Sequence, residues 1–368
     1  MTDLFDNAEP RLTLDLDALA ANHRALCEAA GAALTAPVLK ADAYGLGAAE
    51  VGRRLWAEGA RSFFVARARE GVALRAALGE GRDADIYVLD GCSHGAAPLL
   101  QSADLIPVLN GLDQVSAWSG AATRGRRAPC ALHIDTGMNR LGLRPEEARA
   151  LADAPGRLKG LEIKLVMSHL ACGAIPAHPM NPIQRSTFMA ATEAFPGIPR
   201  SLAASGGAFL GPDYAFDMIR PGISLYGGGP FETPDPRIAP VATLDAPLLQ
   251  VRTVRPGEAI GYGATFTVEK PTRIGIIALG YADGVLRSAS GSGYGWLSGR
   301  RCDLVGRISM DLMAIDVSDV EDAAPGQRVE LFGANLPVDT AAAHAGTIAY
   351  ELLSRVSPRV RRQYLGAV

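Results

Sequence analysis

The feature that most constrains this chain is a regular alternation through its first two-thirds. Short, mostly apolar runs recur at 38–39, 63–65, 86–88, 106–108, 131–133, 163–165, 202–204 and 223–225. Between most of them lie Ala-, Leu-, Glu- and Arg-rich stretches with helical periodicity, such as 70–78 and 145–152. A strand covered on both faces reads as a short apolar run, and the covering helix reads as a longer amphipathic one. Eight such β/α units over about 230 residues match the count and length of a closed (β/α)8 barrel. An open doubly wound sheet uses the same alternation and stands as the alternative. A leading segment, Arg11-Leu12-Thr13-Leu14-Asp15, precedes the first unit.

The pattern changes where prolines cluster, at Gly229-Pro230, Thr233-Pro234-Asp235-Pro236 and Ala239-Pro240, which reads as a linker. Beyond it, strand-like runs dominate at 248–254, 264–268, 274–279, 312–317 and 329–332, and 339–355 reads as one long helix. The expected architecture is therefore a TIM-like (β/α)8 barrel over 1–237 followed by a mostly-β domain over 238–368. A net charge of −3 gives no basic surface for nucleic acid. The basic stretch Pro358-Arg359-Val360-Arg361-Arg362 reads as a solvated chain end. The first residues lack a basic-then-apolar leader, and the longest apolar runs are far too short to span a bilayer. Five irregularly spaced cysteines without a C-x-x-C pair, and six histidines without ligand spacing, suggest no metal site and no disulfide framework. A reducing cytoplasm is the expected location.

Barrel enzymes carry their chemistry at the C-terminal ends of the strands. Lys40 ends the run Ala36-Pro37-Val38-Leu39. Arg140 follows the fifth run, His169 ends the sixth, Ser205-Gly206-Gly207 follows the seventh, and Arg220-Pro221-Gly222-Ile223 surrounds the eighth. A lysine at the end of an apolar run is ordinarily a snorkelling surface residue. Set across a barrel from a glycine- and serine-rich segment after strands seven and eight, the usual phosphate site, it acquires another meaning. One end of pyridoxal phosphate could be anchored there while its aldehyde bonds the lysine.

The stretch Lys40-Ala41-Asp42-Ala43-Tyr44-Gly45-Leu46-Gly47 resembles the cofactor-lysine signature of the alanine racemase family, commonly K-A-N-A-Y-G-H-G. The resemblance continues in order along the chain. It runs through Gly261-Tyr262-Gly263-Ala264-Thr265-Phe266, Leu279-Gly280-Tyr281-Ala282-Asp283-Gly284, Val305-Gly306-Arg307-Ile308-Ser309-Met310-Asp311 and Tyr350-Glu351. It implies a barrel plus a β-domain, pyridoxal 5'-phosphate as cofactor, a small amino acid as substrate, and a homodimer with shared active sites. By the same resemblance, Lys40 holds the cofactor and serves one face of the substrate α-carbon. Tyr262 of the other subunit serves the opposite face, with His169 near it as a helper. A tyrosine of ordinary pKa, about 10, is a poor base at neutral pH, so nearby positive charge is expected to lower it. Arg220 faces the pyridine nitrogen, and Tyr44, Ser205, Gly222, Ile223 and Tyr350 surround the phosphate. Arg140 and the Met310 N–H receive the substrate carboxylate, while Tyr281 narrows the entrance.

This chain departs from the family pattern at Asp42, Leu46, Ala204 and Ser309, where asparagine, histidine, asparagine and cysteine are usual. His133 stands where many members have a lysine whose carbamate orients the arginine. Histidine cannot carry that group, so either another acceptor or a bound anion must hold Arg140. Competing readings are a broad-specificity or serine racemase, a decarboxylase of related architecture, and a non-catalytic pyridoxal-phosphate-binding protein. The Arg220 and Tyr262 segments disfavour the last two.

Overall fold

The computed structural model describes residues 8–122 and 127–367. They form two compact units: Ala20–Leu225, and the described residues up to Leu19 together with Tyr226–Ala367.

In the Ala20–Leu225 unit, Ser62–Val65, Asp85–Val88, Ile106–Leu109, Ala128–His133, Leu161–Met167 and Arg200–Ser201 pair in sequence order, all parallel. Leu34–Thr35 pairs in parallel with Met218–Ile219. Single contacts join these two groups into a ring. Val38 bridges Phe64, and the Asp217 and Arg220 N–H groups donate to the carbonyls of Arg200 and Ala203 at 3.0 and 2.9 Å. The doubly wound alternative, which needs two open edges, is therefore set aside in favour of a closed barrel. Phe63, Phe64, Ile86, Val88, Leu109 and Leu132 are buried, as strands covered on both faces require.

The eighth strand differs from the sequence expectation. It is Met218–Ile219, whereas the run at 223–225 lies in the 3-10 helix Ile223–Tyr226. Pro221 donates no hydrogen bond, and the Leu225 N–H turns back to the Gly222 carbonyl at 2.9 Å. The run is apolar because the turn is buried. Likewise the seventh strand is Arg200–Ser201, just ahead of the expected 202–204.

The other unit holds an eight-stranded sheet, antiparallel except at one edge. Its long strand Ala242–Val254 pairs with Arg11–Asp15 and Arg328–Phe332 along its first half and with Thr272–Ile277 along its second. Register shifts along this strand let it serve two sets of neighbours. The leading segment Arg11–Asp15 thus belongs to this sheet. The basic stretch near 358–362 is no solvated end. Arg361–Leu365 is a strand parallel to Arg11–Asp15, and Arg359 donates to Asp283 at 2.6 Å and Asp311 at 2.7 Å. The expected single helix over 339–355 is two, Val338–His344 and Ala349–Ser354, separated at Gly346 with φ 70°. No helix among the described residues is long and apolar enough to cross a membrane. The five cysteines are free.

Asp245 joins three parts of this sheet by accepting from Arg11 at 3.0 Å and from Arg328. Two nitrogens, Arg11 Nε and one terminal nitrogen of Arg328, are buried without a partner. Removing the carboxylate would leave two crowded cations uncompensated. Asp245→Ala is expected to cost about 3 kcal/mol, read from urea unfolding of the sheet signal. An unchanged midpoint would show that strand pairing alone carries this edge.

Candidate active site

Lys40 leads directly into an uncommon piece of backbone. Ala41, Asp42, Ala43 and Tyr44 all have left-handed φ, between 53° and 60°. A left-handed turn of L-residues costs roughly 1–2 kcal/mol per residue. Several contacts hold it. Glu70 Oε1 accepts the Ala41 N–H at 2.9 Å, while its Oε2 accepts those of Ala66 and Arg67 at 2.8 and 3.1 Å. Asp42 Oδ1 accepts the Ala48 N–H at 2.7 Å, at the start of the helix Ala48–Ala57. Leu46 is fully buried. Two departures from the family pattern thereby gain a physical reason: a carboxylate serves as acceptor at 42, and a core side chain occupies 46. Glu70 was missed in the sequence, where it looked like an ordinary first-turn glutamate.

The Lys40 amine is largely buried and makes no hydrogen bond or ion pair among the described residues. Burial first, then the Arg140 charge, lowers its pKa, with Glu70 opposing weakly. Arg220 is 3% exposed, and its charge is met by neutral acceptors: the Ser168 carbonyl at 2.6 Å, Ser201 Oγ, and more distantly the Leu202 carbonyl. Burial pulls its guanidinium down to about 9, which leaves it charged at neutral pH. It also donates to His169 Nδ1 at 3.4 Å. His169 is half-buried. Burial, then Arg220, Arg140, Lys40 and His133, hold its pKa well below the ordinary value. His169 is therefore neutral, and its Nδ1 accepts, so Nε2 carries the hydrogen.

Tyr44, four residues past Lys40, meets Ser205, Gly222 and Ile223, which follow the seventh and eighth strands. Ser205 Oγ accepts the N–H groups of Gly222 and Ser224 at 3.0 and 3.3 Å. A Cβ on Gly222 would lie 2.1 Å from the Tyr44 hydroxyl, so only glycine permits this approach. Ser224 Oγ is buried without a partner, and the Ile223 N–H finds no acceptor among the described residues. Unsatisfied donors in a cationic pocket suit a phosphate dianion. The same barrel holds an unpaired, depressed-pKa lysine, which suits a carbonyl carbon. The residues present therefore fit pyridoxal phosphate.

Tyr262, Tyr281, Met310 and Tyr350 lie in the other unit. Tyr262 starts a 3-10 turn after Gly261 and is 72% exposed. The Tyr281 and Met310 segments are locked together: the Tyr281 and Ala282 N–H groups donate to the carbonyls of Ser309 and Met310 at 3.0 and 2.9 Å. A Cβ on Gly280 would sit 2.3 Å from the Met310 oxygen. Ser309 serves here through its backbone, so cysteine is not required at this position. Tyr350 is largely buried, and burial followed by the charges of Glu232 and Asp339 pushes its phenol up to about 12.

A barrel with a lysine and a phosphate cradle at its mouth, followed by a β-domain, defines a class: the two-domain pyridoxal-phosphate barrel enzymes. The comparisons with known proteins narrow it. Residues 14–230 match the family "Alanine racemase, N-terminal domain", and 241–364 match "Alanine racemase, C-terminal domain". The alanine racemase of Rhizobium meliloti is 46% identical, with 98% of each chain covered. The biosynthetic alanine racemase of Agrobacterium fabrum is 45% identical over 100% of this chain and 96% of its own. The crystal structure of alanine racemase from Bartonella henselae, with covalently bound pyridoxal phosphate, superposes with a TM-score of 0.92 at 34% identity, covering 97% of this chain and 100% of that one. The chain belongs to the alanine racemase family.

Two measurements test this local physics. Glu70→Ala should speed amide exchange of the Ala41 N–H on the order of tenfold or more, since a hydrogen bond to a charged acceptor is lost. Unchanged exchange would mean that the turn is held without Glu70. His133, lowered to about 4, and His169, also lowered, bind fewer protons folded than unfolded below the ordinary histidine pKa. Their contribution to stability is thus complete above pH ~6.5 and lost as pH falls toward the folded values. Urea midpoints should drop between pH 7 and 5, and less steeply in His133→Asn. Equal slopes would argue against a neutral His133.

Proposed function

We propose that this chain is a pyridoxal-phosphate-dependent racemase that interconverts L- and D-alanine by a two-base mechanism, acting as a homodimer whose active sites are shared. The observation that carries the reading is the buried, unpaired Lys40 set with the orphaned donors at Ser224 and Ile223, in a chain that matches the family along its whole length. Bound pyridoxal phosphate supplies an electron sink that makes the α-proton of the amino acid acidic.

The protein's part is to hold, orient and move protons. Lys40, its amine pKa lowered by burial and by Arg140, would attach the cofactor and exchange the proton on one face of the α-carbon. Tyr44, Ser205, Gly222, Ile223 and Tyr350 hold the phosphate. Arg220, oriented by neutral acceptors, would face the ring nitrogen of the bound cofactor and disfavour its protonation. That weakens the electron sink and limits side reactions. Arg140 and the Met310 N–H take the substrate carboxylate, and Tyr281 keeps the entrance small.

Tyr262 of the partner subunit serves the opposite face. Support comes from its exposure within one chain and from neighbouring exposed apolar side chains, Met310 at 54% and Leu312 at 40%, which suit a surface covered by a second copy. His169, with its Nε2 hydrogen, is the donor offered to that phenolate. In this arrangement the barrel unit, Ala20–Leu225, binds the cofactor, and the other unit supplies the second base to the partner. The absence of disulfides among five cysteines supports a cytoplasmic setting.

The test uses two variants that should each be inactive, Lys40→Ala and Tyr262→Phe. Mixed and reassociated in equal amounts, they should regain about a quarter of wild-type alanine racemisation, because half the dimers are hybrid and each hybrid has one intact site. No recovery, with hybrids confirmed by mass, would place both bases in one subunit. A Tyr262→Phe enzyme of full activity would end the two-base reading.

A further inference from the structure

The sixth barrel strand, Leu161–Met167, stops just short of His169. The last backbone contact is the Ser168 N–H to the Ser201 carbonyl at 2.9 Å. Across residues 169–171 no backbone–backbone hydrogen bond is made among the described residues. Both hydrogen bonds to the backbone of this stretch come from one side chain, that of Gln184 on the helix Met180–Thr192. Its Oε1 accepts the Ala171 N–H at 2.8 Å, and its Nε2 donates to the His169 carbonyl at 3.0 Å. An N–H only donates and a carbonyl only accepts, so the amide cannot be turned over.

The same amide reaches the loop after the fifth strand. Nε2 also donates to Thr136 Oγ1 at 3.2 Å, and Thr136 Oγ1 lies 2.7 Å from Ser168 Oγ. Gln184 is completely buried, and Thr136 and Ser168 are nearly so. A buried amide needs its polar atoms met, and these are met by the peptide groups on either side of Leu170. The imidazole of His169 is held far less firmly. Among the described residues its one hydrogen-bond partner is Arg220, at a long 3.4 Å. Arg140, Lys40 and His133 act on the ring through charge. So weak a contact leaves the direction of the ring to the backbone that carries it.

We infer that Gln184 is a positioning residue for His169: by gripping the peptide groups on both sides of Leu170, it fixes the direction in which the imidazole presents its Nε2 hydrogen. The inference rests on the reading that this hydrogen is offered to the phenolate of Tyr262 of the partner subunit. A hydrogen bond to a phenolate favours its charged form. With the grip released, that help is lost, the phenol pKa rises, and a higher pH is needed to hold the base ready.

Two substitutions separate positioning from packing. Gln184→Leu keeps an apolar side chain there and removes every hydrogen bond. Gln184→Glu, kept protonated by burial, restores both backbone contacts: its carbonyl oxygen accepts from Ala171 and its hydroxyl donates to the His169 carbonyl. Nitrogen-15 NMR of the histidine-labelled holoenzyme reads His169 independently of turnover, the signal being assigned by its loss in His169→Asn. The Nδ1 resonance, which reports the hydrogen bond from Arg220, should shift in Gln184→Leu and hold its place in Gln184→Glu. In kinetics, Gln184→Leu should lower kcat for alanine about tenfold with a smaller change in KM. The ascending limb of kcat against pH should move up by about half a unit or more, and Gln184→Glu should recover most of both changes. Loss of folded or cofactor-loaded enzyme scales such a profile without shifting it. An unmoved His169 resonance in Gln184→Leu overturns the inference whatever the activity. So does an unmoved pH limb in a Gln184→Leu enzyme that still racemises alanine, and either result leaves the racemase reading intact. A shifted resonance in a protein whose wild type does not racemise alanine upholds the grip of Gln184 on His169 and overturns the racemase reading instead.

Discussion

The constraint on which the barrel unit depends is an excess of positive charge at its mouth. Burial first, then the charges of Arg220 and Arg140, lowers the pKa of both His133 and His169, and burial with Arg140 lowers that of Lys40. None of the three cations makes an ion pair with a carboxylate among the described residues. Arg220 is satisfied by carbonyls and a hydroxyl, Asp135 is engaged by backbone N–H groups, and Glu70 is turned toward three amides. Charge buried without a counter-ion destabilises a fold unless a ligand supplies one. Two anionic groups, a phosphate and an amino-acid carboxylate, would complete this site electrostatically as well as chemically.

The same economy explains the backbone beside Lys40. Four consecutive left-handed residues are unfavourable in isolation, yet each end is tied to a rigid element. Glu70 belongs to the helix Ala68–Leu78, and Asp42 secures the start of Ala48–Ala57. The turn places the Tyr44 hydroxyl against Gly222, so the lysine segment and the phosphate segment meet across the barrel. Strain at the lysine is offset by contacts that also build the cradle.

Much of this was legible in sequence because closely spaced residues carry it. The alternation of apolar runs and amphipathic stretches located five of the eight barrel strands closely, while the first strand, Leu34–Thr35, lies just ahead of the expected 38–39. The ordered motifs named Lys40, Tyr44, Ser205, Arg220 and Tyr262. Misreadings arose where burial imitates secondary structure or where a partner lies far along the chain. The buried 3-10 turn Ile223–Tyr226 has the composition of a strand. Arg359 and Arg362 look like a free basic tail until Asp283, 76 residues away, is folded against Arg359, and Arg362 donates to the Val356 carbonyl. Gln184 and Glu70 carried no chemical signal of their own.

By itself the sequence determined the period of the barrel, the change to β-structure after the prolines, and the family-like motif that begins at Lys40. These follow from local composition, because periodicity and short motifs need no distant partner. Only the tertiary structure decided that Gln184 joins the loops of Thr136 and His169, which acceptors hold Arg220, and that the first and last strands pair within one sheet. Each of these depends on a hydrogen bond between groups far apart in sequence, and such a bond exists only once the chain has closed on itself.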